Sequence, residues 1–154
     1  MSAQPVSDLI IDSATVADVD DIIALEHQAF PSPWRRDFFQ SELYGSGRFS
    51  LTARWHGHLA GYLFAMWFFD EMHINKIAVD ESMRRQGIAF ALMRQCIAYA
   101  IGQGVKTISL EVRQSNEGAQ EFYRFLQFEP SYVRPRYYPD GEAAVVMTKV
   151  LQPS

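Results

Sequence analysis

The sequence predicts an α/β domain in which a mixed β-sheet is flanked by helices. Three strand-like segments follow one another across short turns, and the later segments alternate between strand-like and helical spacing of apolar residues. The chain has 154 residues, of which 48% are hydrophobic and 21% are charged, as is usual for a protein with one core. We therefore expect a single domain over residues 1–154 that needs neither disulfides nor a structural metal for stability.

The first segment predicts one strand and two helices. Strand-like residues Leu9 to Ile11 precede Thr15, a residue suited to capping a helix, and apolar residues then recur at helical spacing. Pro31 and Pro33 end that helix. A second helix is predicted over Trp34 to Tyr44, where glycines follow and the apolar face ends.

An antiparallel meander is predicted next. Its strands are Phe49 to Trp55, Leu59 to Phe69 and Met72 to Val79, and the middle strand is the most apolar. The turn between the first two strands is His56-Gly57-His58, which is more typical of a hairpin tip than of a metal site.

A strand-loop-helix unit follows the meander. The loop Asp80 to Gln86 leads into apolar residues spaced three or four apart, and this helix stops at Gly102 and Gly104. The next strand, Lys106 to Val112, alternates an apolar face with a polar face that carries Glu111.

The last elements are a helix and a hairpin. Ala119 to Leu126 has the spacing of an amphipathic helix, and Ser115 or Asn116 is suited to cap it. The hairpin strands are Ser131 to Tyr137 and Ala144 to Val150, joined around the turn residues Pro139-Asp140-Gly141.

Charge, cysteine content and hydropathy exclude several functional classes. A net charge of −4 and a pI near 5.5 argue against unspecific nucleic-acid binding, although a basic partner is compatible with them. Cys96 is the only cysteine, so no intramolecular disulfide forms, and the first ten residues lack the features of a signal peptide. The longest apolar run, Leu59 to Phe69, is about half the length that spans a membrane. We expect a cytoplasmic protein without a transmembrane segment.

The strongest local motif is Arg84-Arg85-Gln86-Gly87-Ile88-Ala89, which opens a predicted helix after a strand. Free N–H groups at a helix start attract anions, glycine and alanine let a phosphate approach the backbone, and two arginines add positive charge. A surface loop with solvated arginines is the alternative.

Other phosphate and catalytic motifs are missing from the sequence. It contains neither the P-loop pattern nor the dinucleotide-binding G-x-G-x-x-G, which disfavours ATP hydrolysis and hydride transfer. It also lacks the G-x-S-x-G nucleophile elbow and the H-E-x-x-H zinc helix. We expect no metal.

Several ordered motifs together resemble the GCN5-related N-acetyltransferase (GNAT) superfamily. They are Ile77-Ala78-Val79-Asp80, the Arg84 to Ala89 hexapeptide, Leu110 to Asn116 and Phe122-Tyr123. More narrowly, the chain resembles the ribosomal-protein alanine N-acetyltransferases (RimI-like). That resemblance rests on Phe30-Pro31 with Trp34, on Leu-Glu-Val-Arg-x-Ser-Asn and on Arg136 to Gly141.

The resemblance implies the GNAT fold and a site for acetyl-CoA. It implies a mostly antiparallel sheet with a splay between two parallel strands, where the pantetheine arm lies beside Ile77, Ala78 and Val79. The pyrophosphate is expected on the loop and helix start, and Asn116 matches a further cofactor-contacting position, although it is equally suited to cap a helix. The loop residues are Arg84, Arg85, Gln86, Gly87, Ile88, Ala89 and Phe90.

Two catalytic residues are implied by the same resemblance. Glu111 matches the general base that removes a proton from the acceptor amine, with an ion pair to Arg113 or another basic group as the alternative role. Tyr123 matches the general acid that protonates the departing thiolate, with a half-buried core tyrosine as the alternative. Because a phenol is a weaker acid than a thiol, Tyr123 must stabilise developing charge by a hydrogen bond or have a lowered pKa.

Substrate contacts are expected from the final hairpin, where Tyr137 and Tyr138 are bulky enough to narrow a peptide groove. Simple packing within the hairpin is the alternative for both tyrosines. The chain departs from the family pattern at two positions: Gln127 replaces a glycine after the tyrosine helix, and Ala143 replaces an acidic residue before the last strand. These departures bear on the local turn and on the identity of the substrate.

The resulting hypothesis is an enzyme that moves acetyl from acetyl-CoA to a protein α-amine, most simply the N-terminal alanine of a small-subunit ribosomal protein. We expect a protein or peptide N-terminus as partner, and neither nucleic acid nor a membrane. Two alternatives stay open. One is the same fold acting on lysine or on a small-molecule amine, and the other is a non-catalytic acyl-CoA sensor.

Overall fold

A computed structural model describes residues 8–151, and the prediction about the extreme N-terminus therefore lies largely outside the described residues. Seven strands form one sheet in the order β1-β2-β3-β4-β5-β7-β6, in which every neighbouring pair is antiparallel except β4 and β5. Their bounds are β1 Leu9–Ser13, β2 Arg48–Trp55, β3 His58–Phe68, β4 Glu71–Val79, β5 Thr107–Arg113, β6 Glu129–Arg134 and β7 Ala144–Val150. The predicted mixed α/β class is confirmed.

Four helices cover the two faces of the sheet. They are α1 Val19–Ala29, α2 Arg36–Glu42, α3 Ile88–Gly102 and α4 Glu117–Phe125. One buried cluster joins α3 and the end of α4 to the sheet, and a second joins α1 and α2 to β3 and β4. None of the helices in residues 8–151 is long and apolar enough to cross a membrane.

The meander has the predicted strands, and β3 is buried along most of its length because helices pack on both of its faces. The alternation in β5 is also as predicted. Ile108, Leu110 and Val112 are buried, and the residues between them are partly exposed on the other face. The polar face of β5 is therefore accessible and can line a cavity.

The parallel pair β4 and β5 separates soon after it begins. Only Glu71–His73 of β4 is paired with Thr107–Ser109 of β5, and no further register between the two strands follows among the described residues. Asn75 is an extra residue in β4, since Phe64 and Ala65 of β3 pair with Lys76 and Ile74. A bulge bends the strand that carries it, so it accounts for the splay that the resemblance implied.

Two predicted element boundaries differ from the structure by three residues. The strand expected to reach Tyr137 ends at Arg134, because Pro135 has no N–H to donate and Arg136 adopts a left-handed φ of 49°. The helix expected to start after Thr15 begins with a 3-10 turn, and α1 proper starts at Val19. The Thr15 N–H still donates to Asp18 Oδ2 at 2.8 Å, as a capping residue pair does.

Candidate active site

A cavity of about 290 Å³ lies between the end of β4, the start of α3 and one side of α4. The sequence placed eleven residues at the acetyl-CoA site, and all of them except Gln86 and Asn116 line this cavity. Those that line it are Ile77, Ala78, Val79, Arg84, Arg85, Gly87, Ile88, Ala89 and Phe90. Met83, Phe122 and Phe125 complete its apolar wall, and sequence reasoning did not assign them to it.

The loop before α3 has the backbone geometry of an anion site. Arg85 and Gly87 adopt positive φ values of 66° and 79°, so the chain turns sharply just before the helix. Gly87 is the N-cap and contributes no side chain, and its carbonyl accepts the first helical bond from Ala91. The N–H groups of the first turn of α3 are therefore available to a ligand.

The edge of β4 that faces β5 is open beyond His73. Residues 74–79 are paired with β3 on one side only, so their outward backbone groups have no neighbouring strand among the described residues. A ligand with peptide-like amides can pair with such an edge in the manner of an added strand.

A second cavity, of about 650 Å³, opens on the other side of the splay. Its walls come from the connection between α1 and α2, from the diverging strands β4 and β5, and from the connection before β7. Ile77, Ala119 and Tyr123 line both cavities, so the two cavities meet at these side chains. A molecule in one cavity can therefore present a reactive group to a molecule in the other.

Glu111 lies in the second cavity and its side chain is 10% exposed. Its two oxygens lie 2.8 and 2.9 Å from His73 Nε2, and Tyr137 Oη lies 3.4 Å from Oε1. Burial raises the pKa of Glu111, but the hydrogen bonds from His73 and Tyr137 and the charges of His73 and Arg134 together outweigh burial and hold the pKa below its usual value. The ionic partner is thus His73, one of the basic groups that the alternative interpretation of Glu111 allowed, whereas Arg113 pairs with Asp140 and Glu142.

His73 in turn is held by Asn75, whose Oδ1 lies 2.6 Å from His73 Nδ1. Burial lowers the pKa of His73, but its bonds with Glu111 and Asn75 raise it by more, so the net shift is upward. The sequence analysis missed this histidine because its partner is 38 positions away in the chain. No spacing rule for a strand connects two such positions.

Tyr123 reaches the junction of the two cavities from α4. Its ring packs on Phe122 and Phe128, and its side chain is buried. The Tyr123 hydroxyl has no hydrogen-bond partner among residues 8–151. Since no fully buried side-chain oxygen or nitrogen of these residues lacks a partner, this hydroxyl is not fully buried and is open to the cavity. Burial raises the pKa of Tyr123 above its usual value.

Tyr137 and Tyr138 both line the second cavity, although they belong to the connection between β6 and β7 and not to a strand. Both backbone N–H groups donate to the carbonyl of Glu142. The Tyr138 ring lies 4.1 Å from the Arg113 guanidinium, and Arg113 donates to Asp140 at 2.8 Å and to Glu142 at 2.9 Å. The connection is therefore tied to the end of β5.

The opposite wall of the second cavity is fixed by a buried charge. Glu26 of α1 is fully buried and accepts bonds from Tyr62 Oη at 2.5 Å, Lys76 Nζ at 3.0 Å and the Trp34 N–H at 2.9 Å. The Lys76 ammonium also lies 3.7 Å from the centre of the Phe30 ring. These contacts hold the connection between α1 and α2 against β4.

Two residues predicted to contact the cofactor do not line the first cavity. Asn116 caps α4, where its Oδ1 accepts from the Ala119 N–H at 3.1 Å, and it lines only the second cavity. The capping role was the alternative interpretation of this residue. Gln86 lies in the arginine loop but lines neither cavity. No group of three His, Cys, Asp or Glu side chains within the described part of the chain is arranged to hold a metal ion.

Comparison with known proteins gives consistent matches over most of the chain. Residues 17–128 match the family model described as the acetyltransferase (GNAT) family. A Bacillus subtilis (strain 168) protein, provisionally named ribosomal protein bS18-alanine N-acetyltransferase, is 34% identical over 84% of this chain and 87% of its own. The Escherichia coli (strain K12) protein named ribosomal protein bS18-alanine N-acetyltransferase is 33% identical over 89% of this chain and 94% of its own.

A solved structure extends the match to three dimensions. The crystal structure of the ribosomal-protein-S18-alanine N-acetyltransferase from Escherichia coli superposes with a TM-score of 0.88 at 31% identity. The match covers 95% of this chain and 96% of that one. Fold and sequence similarity therefore point in the same direction.

Proposed function

The chain belongs to the acetyltransferase (GNAT) family and is an acetyl-CoA-dependent N-acetyltransferase, and we propose that its acceptor is the α-amine of a protein N-terminus. The acceptor chain that we propose is a small-subunit ribosomal protein that begins with alanine. The names of the relatives at 33% and 34% identity support this choice of acceptor.

The observation that carries the proposal is the meeting of two cavities at Tyr123, with the Glu111 carboxylate in the cavity on the acceptor side. The first cavity offers free helix N–H groups, two arginines and an open strand edge, which fit a pyrophosphate and a pantetheine arm. The second cavity offers a carboxylate and aromatic walls, which fit an amine on the end of a peptide.

In this proposal Glu111 removes a proton from the acceptor, since only a neutral amine can attack the acetyl carbon. At pH 7 freeing the amine costs about 1 kcal/mol for a protein α-amine and about 4.6 kcal/mol for a lysine, given their reference pKa values. The α-amine is therefore the easier acceptor by about 3.6 kcal/mol. This difference favours an N-terminal substrate over an internal lysine.

Tyr123 serves the departing thiolate as a hydrogen-bond donor in this scheme. Its pKa is raised by burial, which rules against the lowered pKa that full proton transfer would need. A hydrogen bond from the phenol to the developing negative charge on sulfur stabilises the transition state without complete transfer.

The shape of the second cavity supports a chain end as the substrate. Tyr137 and Tyr138 stand on one side, and the connection between α1 and α2, held by Glu26, stands on the other. A groove closed in by two anchored connections admits a free N-terminus more easily than the middle of a peptide. The Ala143 departure removes one negative charge from the connection between β6 and β7, whose residues Tyr137 and Tyr138 line this cavity, and so bears on the residues that follow the acceptor alanine.

The test compares two peptides of equal length. One begins with a free alanine, and the other is its N-terminally blocked counterpart with an internal lysine. Mass spectrometry after incubation with acetyl-CoA is expected to find acetyl on the free alanine only, and the Glu111→Gln variant is expected to be slower by about 10²- to 10⁴-fold. Efficient acetylation of the internal lysine with the alanine untouched would favour the lysine alternative. Binding of acetyl-CoA without transfer to any amine would favour the sensor.

A further inference from the structure

The carboxylate in the acceptor cavity is the end of a chain of hydrogen bonds that crosses three elements. Glu111 of β5 contacts His73 of β4, His73 contacts Asn75, and the Asn75 Nδ2 donates to Glu42 Oε1 of α2 at 3.2 Å. Glu42 is paired with Arg48 at 3.0 Å, so it is present as an accepting carboxylate. The series of hydrogen bonds thus starts at the Glu42 carboxylate, which accepts the bond from Asn75.

This chain fixes the protonation of one nitrogen of His73. Since Asn75 Nδ2 donates to Glu42, the other side-chain atom of Asn75, Oδ1, is the acceptor that faces His73 Nδ1. Nδ1 therefore carries a hydrogen. The second nitrogen, Nε2, faces both oxygens of Glu111, which as a carboxylate can only accept. One additional proton must lie between Nε2 and Glu111 in this arrangement, which is therefore the form of the pair after it has accepted a proton.

We propose that His73 and Glu111 act as one proton-accepting unit, in which His73 positions the carboxylate and stores the proton that leaves the acceptor's ammonium group. This inference rests on the proposed function, because it concerns the base of that reaction. His73 does not itself line either cavity within the described part of the chain, so it acts through Glu111 as a positioning residue.

The chemical reason is the match between the base and the amine. A protein α-amine has a reference pKa of about 7.7 to 8.0, which is about 3.5 units above a free glutamate and about 1.4 units above an imidazole. A carboxylate alone would hold the transferred proton about 100-fold less well than an imidazole. The unit therefore moves the proton to a site that retains it while the neutral amine attacks.

The proton balance of the step is simple. The active form of the unit has a neutral His73 and an ionised Glu111. One N–H bond of the ammonium breaks and an O–H bond forms at Glu111. This O–H bond then breaks as an N–H bond forms at His73 Nε2. The imidazolium then releases the proton to water, since the His73 side chain is 35% exposed.

Four other polar groups surround the pair of His73 and Glu111. Arg134 of β6 acts on both members: its charge lowers the pKa of His73 and of Glu111. Tyr137 donates a long hydrogen bond to Glu111, and Asn75 and Glu42 complete the chain on the side of α2. The net effect raises the pKa of His73, so the imidazolium persists to higher pH than in a free histidine.

The first experiment follows the imidazole directly by NMR in the protein without substrates. Four histidines give ring signals, and His73→Gln identifies the signal of interest by its loss. We expect that signal to titrate above pH 6.5 in the wild type and to move to lower pH in Glu111→Gln. A His73 signal that titrates identically in both proteins would overturn the proposal without bearing on which amine is acetylated.

The second experiment compares kcat against pH with the alanine peptide at saturation. We expect His73→Gln to lose the limb that follows the imidazole and to turn over about 100-fold more slowly near pH 7.5. His27→Gln is the matched control, because His27 lies on the exposed face of α1. An unchanged rate and profile in His73→Gln, with Glu111→Gln inactive, would refute the shared unit and leave the proposed function standing. Wild-type enzyme that acetylates no α-amine would refute the proposed function instead.

Discussion

Replacing Gln127 by glycine is expected to stabilise the protein by about 0.5 to 1 kcal/mol. Gln127 follows the end of α4 at φ 71°, a left-handed conformation that costs a side-chain-bearing residue about 1 to 2 kcal/mol. Glycine removes this cost, but it also increases the conformational entropy of the unfolded chain, which lowers the stability by about 0.5 to 1 kcal/mol. The Gln127 side chain is exposed, so its removal sacrifices no packing.

The backbone around Gln127 explains why the left-handed conformation persists without glycine. Its N–H donates to the Arg124 carbonyl at 2.8 Å, and the Phe128 N–H donates to the Tyr123 carbonyl at 2.9 Å. Phe128 is buried and its ring contacts Tyr123, which gives the hydrophobic contact that accompanies this helix end. The turn after α4 therefore forms without the glycine of the family pattern, and the strain lies in the backbone of Gln127.

Helix α3 provides the control. It ends with the same pair of bonds, from Gly104 to Ile101 and from Val105 to Ala100, and there glycine occupies the left-handed position at φ 79°. Gln103, one residue earlier, has an ordinary φ of −91°. Gln103→Gly is therefore expected to destabilise the protein, by about 0.5 to 1 kcal/mol.

Urea denaturation of the wild type and both variants measures the difference in the free energy of unfolding, and thermal denaturation measures the difference in melting temperature. For a chain of this length, each 1 kcal/mol corresponds to about 2 to 4 °C in the melting temperature, so Gln127→Gly is expected to melt about 1 to 4 °C higher. A Gln127→Gly variant that is no more stable than the wild type, or equal effects at Gln127 and Gln103, would refute the assignment of strain to this position.

The remaining predictions concern the cavities and the packing beneath them. Gly87→Glu is expected to weaken acetyl-CoA binding in calorimetric titration, because it adds bulk and negative charge at the anion site. The control is Gly57→Glu, at a similar φ of 80° on a distant hairpin. Unchanged affinity in Gly87→Glu would place the phosphates elsewhere. Tyr123→Phe is expected to slow acetyl transfer in a single turnover while leaving acetyl-CoA affinity nearly unchanged, and a wild-type rate would reject its role as a donor. Gly61→Ala is expected to cost about 1 to 3 kcal/mol in denaturation, because its Cβ would lie 2.8 Å from the Ala78 carbonyl oxygen. Gly118→Ala, whose Cβ would have its nearest neighbour at 3.9 Å inside α4, is expected to stabilise the protein instead, and a loss of stability there would contradict the packing argument.

Local chemistry decided most of the element positions. The two-residue alternation of β5 and the glycines after α3 follow from side-chain direction and backbone freedom, both of which act within a few residues. Proline acts in the same way at two places. The helix α1 ends before Pro31, as predicted, and Pro135 ends β6 at Arg134, three residues before the predicted end at Tyr137.

The candidate site was predictable in part. The arginine loop and the end of β4 are contiguous in sequence, so their joint position at one cavity could be expected from the strand-loop-helix unit. The roles of Glu111 and Tyr123 came from a resemblance, and they stay predictions until their variants are measured. Asn116 illustrates the limit, because capping and cofactor contact use the same side-chain oxygen.

The sequence by itself determined which segments become strands and helices, because periodicity, caps and turn residues act over short distances. Only the tertiary structure decided what stands beside Glu111. His73 reaches it because β4 and β5 run parallel for three residues and then diverge at the Asn75 bulge, and that register depends on packing across the whole sheet. Lys76 likewise meets Glu26 from 50 positions away, because α1 packs on β3 and β4. The charge partners at the site are set by contacts between distant segments, which no local pattern encodes.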